Sequence, residues 1–224
     1  MEEEKLLIGF DLSTASKLSI ELLIEDAVDV AIFGEIAKAN KNRPEVLTLL
    51  LDHPETPDEV RQQVSDIMSV PLKQRSEIAK VHKTEEERAQ TILQKIQKLS
   101  VSERIHLALR GGKEIRSILL RDPNKEVCMT VMENPKITET EIEVIARSRS
   151  IADEALRRIA KNRQWMKNYN IIFALVTNPK TPPGIALSLV SELKTRDLSI
   201  LEKNKNVTEG IRSTAKKLVR ARKG

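Results

Sequence analysis

Apolar side chains recur along this chain at intervals of three and four residues, the spacing that places them on one face of an α-helix. Ile142, Ile145 and Ala146 share such a face, as do Ala155, Leu156, Ile159 and Ala160. The same holds for Ile185, Ala186, Leu189, Val190 and Leu193, and for Ile211, Ala215, Leu218 and Val219. Helix starts are marked as regularly. Thr56-Pro57-Asp58-Glu59, Thr84-Glu85-Glu86-Glu87 and Thr138-Glu139-Thr140-Glu141 match Thr-x-x-Glu. In that box the Thr hydroxyl accepts from a free backbone N–H and the Glu reaches back to the cap residue. Thr181-Pro182 and Thr208-Glu209 mark two more starts, with Pro182 suited to a first helical position. The pattern predicts helices at 15–27, 28–39, 44–52, 57–69, 72–82, 85–99, 102–110, 113–121, 124–132, 139–148, 152–161, 164–177, 183–193, 195–203 and 208–222. Their short links make consecutive helices antiparallel neighbours. The fold class is all-α.

Composition agrees, because 2% aromatic residues and seven glycines favour helix over strand. At 224 residues the chain holds one elongated domain or two small ones, and builds a core without disulfides or metal. The single Cys128 excludes an intramolecular disulfide framework and fits a reducing compartment. No apolar run reaches the roughly 18 residues of a membrane span. Met1-Glu2-Glu3-Glu4 is acidic where a secretory signal is basic. A soluble, cytoplasmic protein without a membrane partner is expected.

Three segments share a form: His53-Pro54-Glu55-Thr56-Pro57, Asn134-Pro135-Lys136-Ile137-Thr138 and Asn178-Pro179-Lys180-Thr181-Pro182. Each closes one helix and opens the next. The last two prolines are 44 residues apart, and periods of about 40–47 belong to repeats built from helix pairs. Together with Arg121-Asp122-Pro123-Asn124-Lys125 and Asn162-Arg163-Gln164-Trp165-Met166, these turns make residues 102–224 resemble a bacterial group of HEAT-like, leucine-rich-repeat-variant α-solenoid proteins. The resemblance implies a right-handed α-solenoid of helix-pair repeats with a concave binding surface and no activity attached. Residues 70–84 break the phase, so the division expected is an acidic helical region at 1–83 and a basic HEAT-like solenoid at 84–224, with one continuous solenoid as the alternative.

Charge is split along the chain. Residues 1–100 carry 13 Lys and Arg against 19 Asp and Glu, whereas residues 101–224 carry 25 against 14. A basic half attracts polyanions. The leading expectation is a non-enzymatic scaffold that binds an acidic protein segment along the concave face of residues 115–205. Arg116, Arg147, Arg149, Arg163, Trp165 and Lys167 are its contact candidates. Nucleic acid is the alternative ligand for the same face, and a third possibility docks the acidic half on the basic half of the same or a second chain.

Other motifs carry less chemistry. Ile8-Gly9-Phe10-Asp11-Leu12-Ser13-Thr14 resembles an actin-fold phosphate loop, but has Ser for the turn glycine and lacks the surrounding strands; it reads as a cap. Gly111-Gly112-Lys113 lacks the rest of a Walker loop and reads as a helix end. His53, His82 and His106 have no ligand-spaced partners, so neither metal nor cofactor is expected. Cys128 reads as a buried thiol, and no catalytic residue is assigned. Arg121 beside Asp122, and Arg196 beside Asp197, read as ion pairs fixing corners between helices. Trp165, Tyr169 and Phe173 recur every fourth residue on one side of the helix expected at 164–177. They serve either as core or as stacking anchors, with core the expectation for all three.

Overall fold

Helix formation follows the apolar spacing almost throughout. The computed structural model describes residues 11–27, 29–71 and 84–223; the helix expected at 72–82, His82, most of the 70–84 break and residues 8–10 lie outside them. Among the described residues there are 14 α-helices and no strand, and no helix is long and apolar enough to cross a membrane.

Contacts group the chain into two units, Met1–Asn134 and Pro135–Gly224. The first unit contains α1 (Lys17–Glu25), α2 (Ala31–Ala39), α3 (Pro44–Asp52), α4 (Asp58–Met68), α5 (Glu85–Ile96), α6 (Val101–Arg110), α7 (Lys113–Leu119) and α8 (Lys125–Val131). Residues on the two sides of position 83 share a core because α1 packs on both α5 and α6. Lys95 bridges Glu21 at 3.0 Å and Glu25 at 2.8 Å, and Arg88 donates to the Glu25 carbonyl at 2.9 Å. This unit is net acidic, with 19 Lys and Arg against 24 Asp and Glu.

The second unit contains α9 (Glu139–Arg147), α10 (Asp153–Lys161), a 3-10 turn at Trp165–Lys167, α11 (Tyr169–Thr177), α12 (Pro183–Val190), α13 (Thr195–Leu201) and α14 (Glu209–Lys223). It carries 19 Lys and Arg against 9 Asp and Glu, a net of +10. The charge split therefore follows the structural division.

Within each unit a helix packs on the next but one: α1 on α3, α2 on α4, α5 on α7, α6 on α8, α9 on α11 and α12 on α14. Hydrogen bonds at both ends align α9 with α11, and hydrogen bonds at the start of each join α11 to α13. Asn168 donates to Glu139 at 2.8 Å where α9 and α11 begin, and Asn178 donates to the Ala146 and Ser148 carbonyls where they end. Tyr169, at the start of α11, binds Asp197 and Lys194 at the start of α13. The three helices thus run parallel. They begin at Glu139, Tyr169 and Thr195, steps of 30 and 26 residues. The 44-residue spacing of the Asn-Pro turns joins α9 to α12, three helices on and outside this parallel row.

The Asn-Pro turns hold helix ends. Asn134 donates to the Ala108 carbonyl at 2.9 Å and to that of Gly111 at 3.2 Å; Asn178 does the same at 2.7 and 2.9 Å. Both are buried, and both fill carbonyls that a helix C-terminus leaves open. His53 is no such clasp, since its ring lies 5.8 Å from that of Phe33. The equivalent in the first unit is Asn40, which donates to Leu12 and Ile36 carbonyls. The turns at His53 and Asn178 do share another feature. Thr56 and Thr181 are buried with hydroxyls that have no hydrogen-bond partner.

Several local expectations are corrected. Thr84 and Thr138 form the expected capping boxes, and so does Ser100 with Glu103, but Thr56 does not. Pro57 takes the cap position before α4, which turns the Thr56 hydroxyl inward. Asp122 pairs with Arg104 at 2.8 Å and not with adjacent Arg121, because neighbouring side chains in a turn diverge. Asp197 likewise accepts from the Tyr169 hydroxyl. Gly111 ends α6 and Gly112 caps α7. A Cβ on Gly112 would lie 2.2 Å from the Asp26 carbonyl oxygen, so only glycine fits there.

Glu103 ties α6 to α1. Partial burial opposes its ionisation, but hydrogen bonds from Ser16, from the Ser100 hydroxyl and backbone, and from Ser19 outweigh it and hold its carboxyl at about 2. A carboxylate with a depressed folded-state value stabilises above its unfolded value near 4.5. That contribution disappears as pH falls through 2. Urea unfolding of Glu103→Gln, followed by circular dichroism, is expected to lose less stability than the wild type between pH 5 and pH 2. Equal pH dependence of the two proteins would refute it.

Asn178→Ala removes three hydrogen bonds and strands two carbonyls, an expected loss of roughly 2–4 kcal/mol. Trp165, the one tryptophan of the chain, reports unfolding of its unit by fluorescence. Thr181→Val should move the same transition the other way by about 1 kcal/mol, since it deletes a buried unpartnered hydroxyl. A destabilised Thr181→Val would show that the hydroxyl is bonded after all.

Candidate functional site

Because α9, α11 and α13 run in one direction, their C-terminal ends meet on one side of the second unit. There they enclose a cleft of about 190 Å³ lined by Arg147, Arg149, Ala174, Thr177, Asn178, Pro179, Asn204 and Asn206. Asn178 is one of these: its amide clasps Ala146 and Ser148, and its oxygen accepts from the Lys180 backbone at 2.9 Å. This bond set holds the end of α9, and with it Arg147 and Arg149, against the end of α11. Across the cleft the Asn204 side-chain oxygen accepts from the Asn206 backbone at 2.9 Å, tightening the turn after α13. Exposed Lys203 and Lys205 alternate with these asparagines.

Arg147 is exposed and rests on Glu143 at 2.6 Å, one turn earlier in α9. An exposed pair of this kind is worth a few tenths of a kcal/mol, so the guanidinium exchanges partners readily. Cations at helix C-termini also complement the negative end of the helix dipole, by roughly 0.3–1 kcal/mol each. Beyond that local role, two guanidinium forks and three carboxamides on one cleft offer only a few acceptors against many donors. The arrangement suits an oxyanion, and planar forks suit a carboxylate most directly.

The six sequence candidates do not form one surface. Arg147 and Arg149 come together at the cleft. Arg163, Trp165 and Lys167 lie in the connection before α11, at its opposite end and roughly 14 Å away along a nine-residue helix. Arg116 belongs to the other unit and is 3% exposed, with its guanidinium donating to the Gly111 carbonyl at 3.2 Å. It is a structural residue and no contact candidate, because an arginine one turn into a short helix reaches back over that helix's own start.

The aromatic series is also broken. Trp165 sits in the 3-10 turn, and Asn168 caps a new helix that begins at Tyr169. All three rings are half-buried, not core. Tyr169 donates its hydroxyl to Asp197 and accepts from the Lys194 backbone at 3.0 Å, with the Lys194 ammonium 4.6 Å from the ring centre. Burial and the Asp197 carboxylate raise its pKa. It is a latch between α11 and α13.

Cys128 is buried, and its thiol lies 3.2 Å from the Leu120 carbonyl. Burial, then the Asp122 charge, raise its pKa, the reverse of what a nucleophile needs. Among the described residues no group of three or more His, Cys, Asp or Glu side chains is placed to hold a metal ion. Asn204 and Asn206 were missed from sequence. Their only signal is the alternation Lys203-Asn204-Lys205-Asn206, which shows nothing until the turn is folded against α11. No protein-family model matches this chain, and no curated protein or solved structure matches it either.

Proposed function

We propose that the unit Pro135–Gly224 is a non-enzymatic binding module for an acidic protein segment, whose carboxylates enter the Arg147–Arg149 cleft. The observation that carries this reading is the convergence of two arginines and three asparagines on one cleft of a unit with net charge +10. Positive potential over the unit steers the segment, and the guanidinium forks fix it. We further propose that the next-but-one packing extends as a right-handed HEAT-like α-solenoid. The parallel row α9, α11, α13 would then supply the binding face. The reading narrows the contact set to Arg147 and Arg149, and sets aside Arg116.

Fluorescence anisotropy of a labelled glutamate-rich peptide with the full chain tests it. Arg147→Ala/Arg149→Ala should weaken binding roughly tenfold or more. The urea midpoint should hardly move, because each dipole contact is worth at most about 1 kcal/mol. Unchanged affinity would refute the cleft. Duplex DNA that displaces the peptide and binds more tightly, with a steep salt dependence, would replace the acidic segment by a phosphate backbone.

A further inference from the structure

The end of the second unit away from the cleft gathers a separate set of cations. Tyr169, at the start of α11, donates its hydroxyl to Asp197 and accepts from the Lys194 backbone, which holds the start of α13 beside it. The Lys194 ammonium lies 4.6 Å from the centre of the Tyr169 ring. Arg222, in the last turn of α14, donates to the Leu193 and Ser191 carbonyls, each at 2.6 Å, so α14 ends where α13 begins. Lys167 closes the 3-10 turn just before α11. Lys167, Lys194, Arg196, Arg220 and Arg222 therefore share one end of the unit, and all are exposed. The acidic groups near them are Asp197, engaged by Tyr169, Glu139, engaged by Asn168, and exposed Glu192. Ion pairs elsewhere in the unit join Arg147 to Glu143, Arg157 to Asp153 and Arg212 to Glu209; among the described residues none involves these five cations.

Helix chemistry accounts for part of the set. Arg220 and Arg222 stand in the last turn of α14, where the dipole favours cations, and Arg222 also fills carbonyls left open after α12. Lys167, Lys194 and Arg196 stand at the starts of α11 and α13, where the dipole favours anions. Like charges held together at such positions repel one another, and a bound polyanion relieves them.

We propose that this end of the second unit binds the phosphate backbone of duplex DNA without reading its sequence. It is a second surface, separate from the carboxylate cleft at the other end of α11. A duplex carries one phosphate charge for about every 1.7 Å of axis, a dense match for neighbouring cations. Base stacking has no free platform here, because Lys194 covers the Tyr169 ring and Trp165 is half-buried in its turn. Contacts to a paired backbone are favoured over an unpaired strand. A membrane finds little to insert: exposed Val144 lies one helical turn from Arg147, and Leu187 lies against Gly210 at the start of α14. Ile200 alone is left as an apolar anchor among the large side chains described as exposed in this unit.

Anisotropy of a labelled DNA duplex of about 20 base pairs, titrated with the full chain across a salt series, tests this surface. The slope of log K against log salt should be about −4.5, from five contacts at about −0.9 each. Lys167→Ala/Arg196→Ala/Arg220→Ala should weaken binding roughly tenfold or more and flatten the slope by about three. Lys180→Ala/Lys203→Ala/Lys205→Ala removes the same charge at the cleft end and should weaken it by less than about threefold. All six side chains are exposed, so circular dichroism should show the same helix content in both variants. Equal losses in the two would show a response to net charge alone, and an equal loss in Arg147→Ala/Arg149→Ala would put the duplex in the cleft. Either result overturns the proposal, as does no binding at low salt. Phosphatidylserine vesicles that the duplex cannot displace, and that Lys167→Ala/Arg196→Ala/Arg220→Ala releases, would assign the surface to a membrane and overturn it too. The glutamate-rich peptide should keep its affinity for that variant to within about threefold, so the two readings fail separately.

Discussion

A carboxamide buried at the end of a helix has two N–H bonds that need acceptors and an oxygen that needs a donor. At Asn178 every one is matched, by Ala146, Ser148 and Lys180. At Asn40 the donors go to Leu12 and Ile36, and the oxygen takes Arg43 at 3.0 Å. Helix C-termini expose carbonyls that no intrahelical N–H reaches, and packing them against other helices without partners costs about 1–3 kcal/mol apiece. The asparagines remove that cost and set the register of neighbouring helix ends. Short helices of seven to nine residues have little stability of their own, so the unit depends on such joints.

The same joints create the cleft. If α9 and α11 slid by one turn, Asn178 would miss both carbonyls, and Arg147 and Arg149 would leave the rim that Asn204 and Asn206 complete. At the opposite end, Asn168 on Glu139 and Tyr169 on Asp197 hold the other half of the alignment. α9 and α11 are pinned at both ends and α13 is latched to α11 at its start, and the side chains between are placed by helix geometry.

Much of the fold was legible because it is local. Apolar spacing located the helices, and Thr84 and Thr138 cap where Thr-x-x-Glu predicts. The failures are non-local or turn on a proline. Pro57 displaced Thr56 from the cap, and Asp122 found Arg104 eighteen positions away while Arg121 stood next to it. The interval between Asn-Pro turns measured three helices, so it gave no repeat length. At the site, the basic character of Arg147 and Arg149 was visible in the sequence. Their convergence with Asn204, 55 positions beyond Arg149, depends on the parallel row and has no one-dimensional trace.

The shared direction of α9, α11 and α13 bears on time as well as on place. Three helix ends contribute negative potential where the two guanidinium groups stand, so those cations are already partly compensated before any ligand arrives. An incoming carboxylate then gains less from each than it would from an isolated arginine, while long-range attraction to a strongly cationic unit still speeds its approach. Fast capture combined with shallow retention gives a short residence time. On the proposed acidic-segment reading, a surface of this construction suits a partner that is picked up and released repeatedly, in contrast to one held for the life of an assembly.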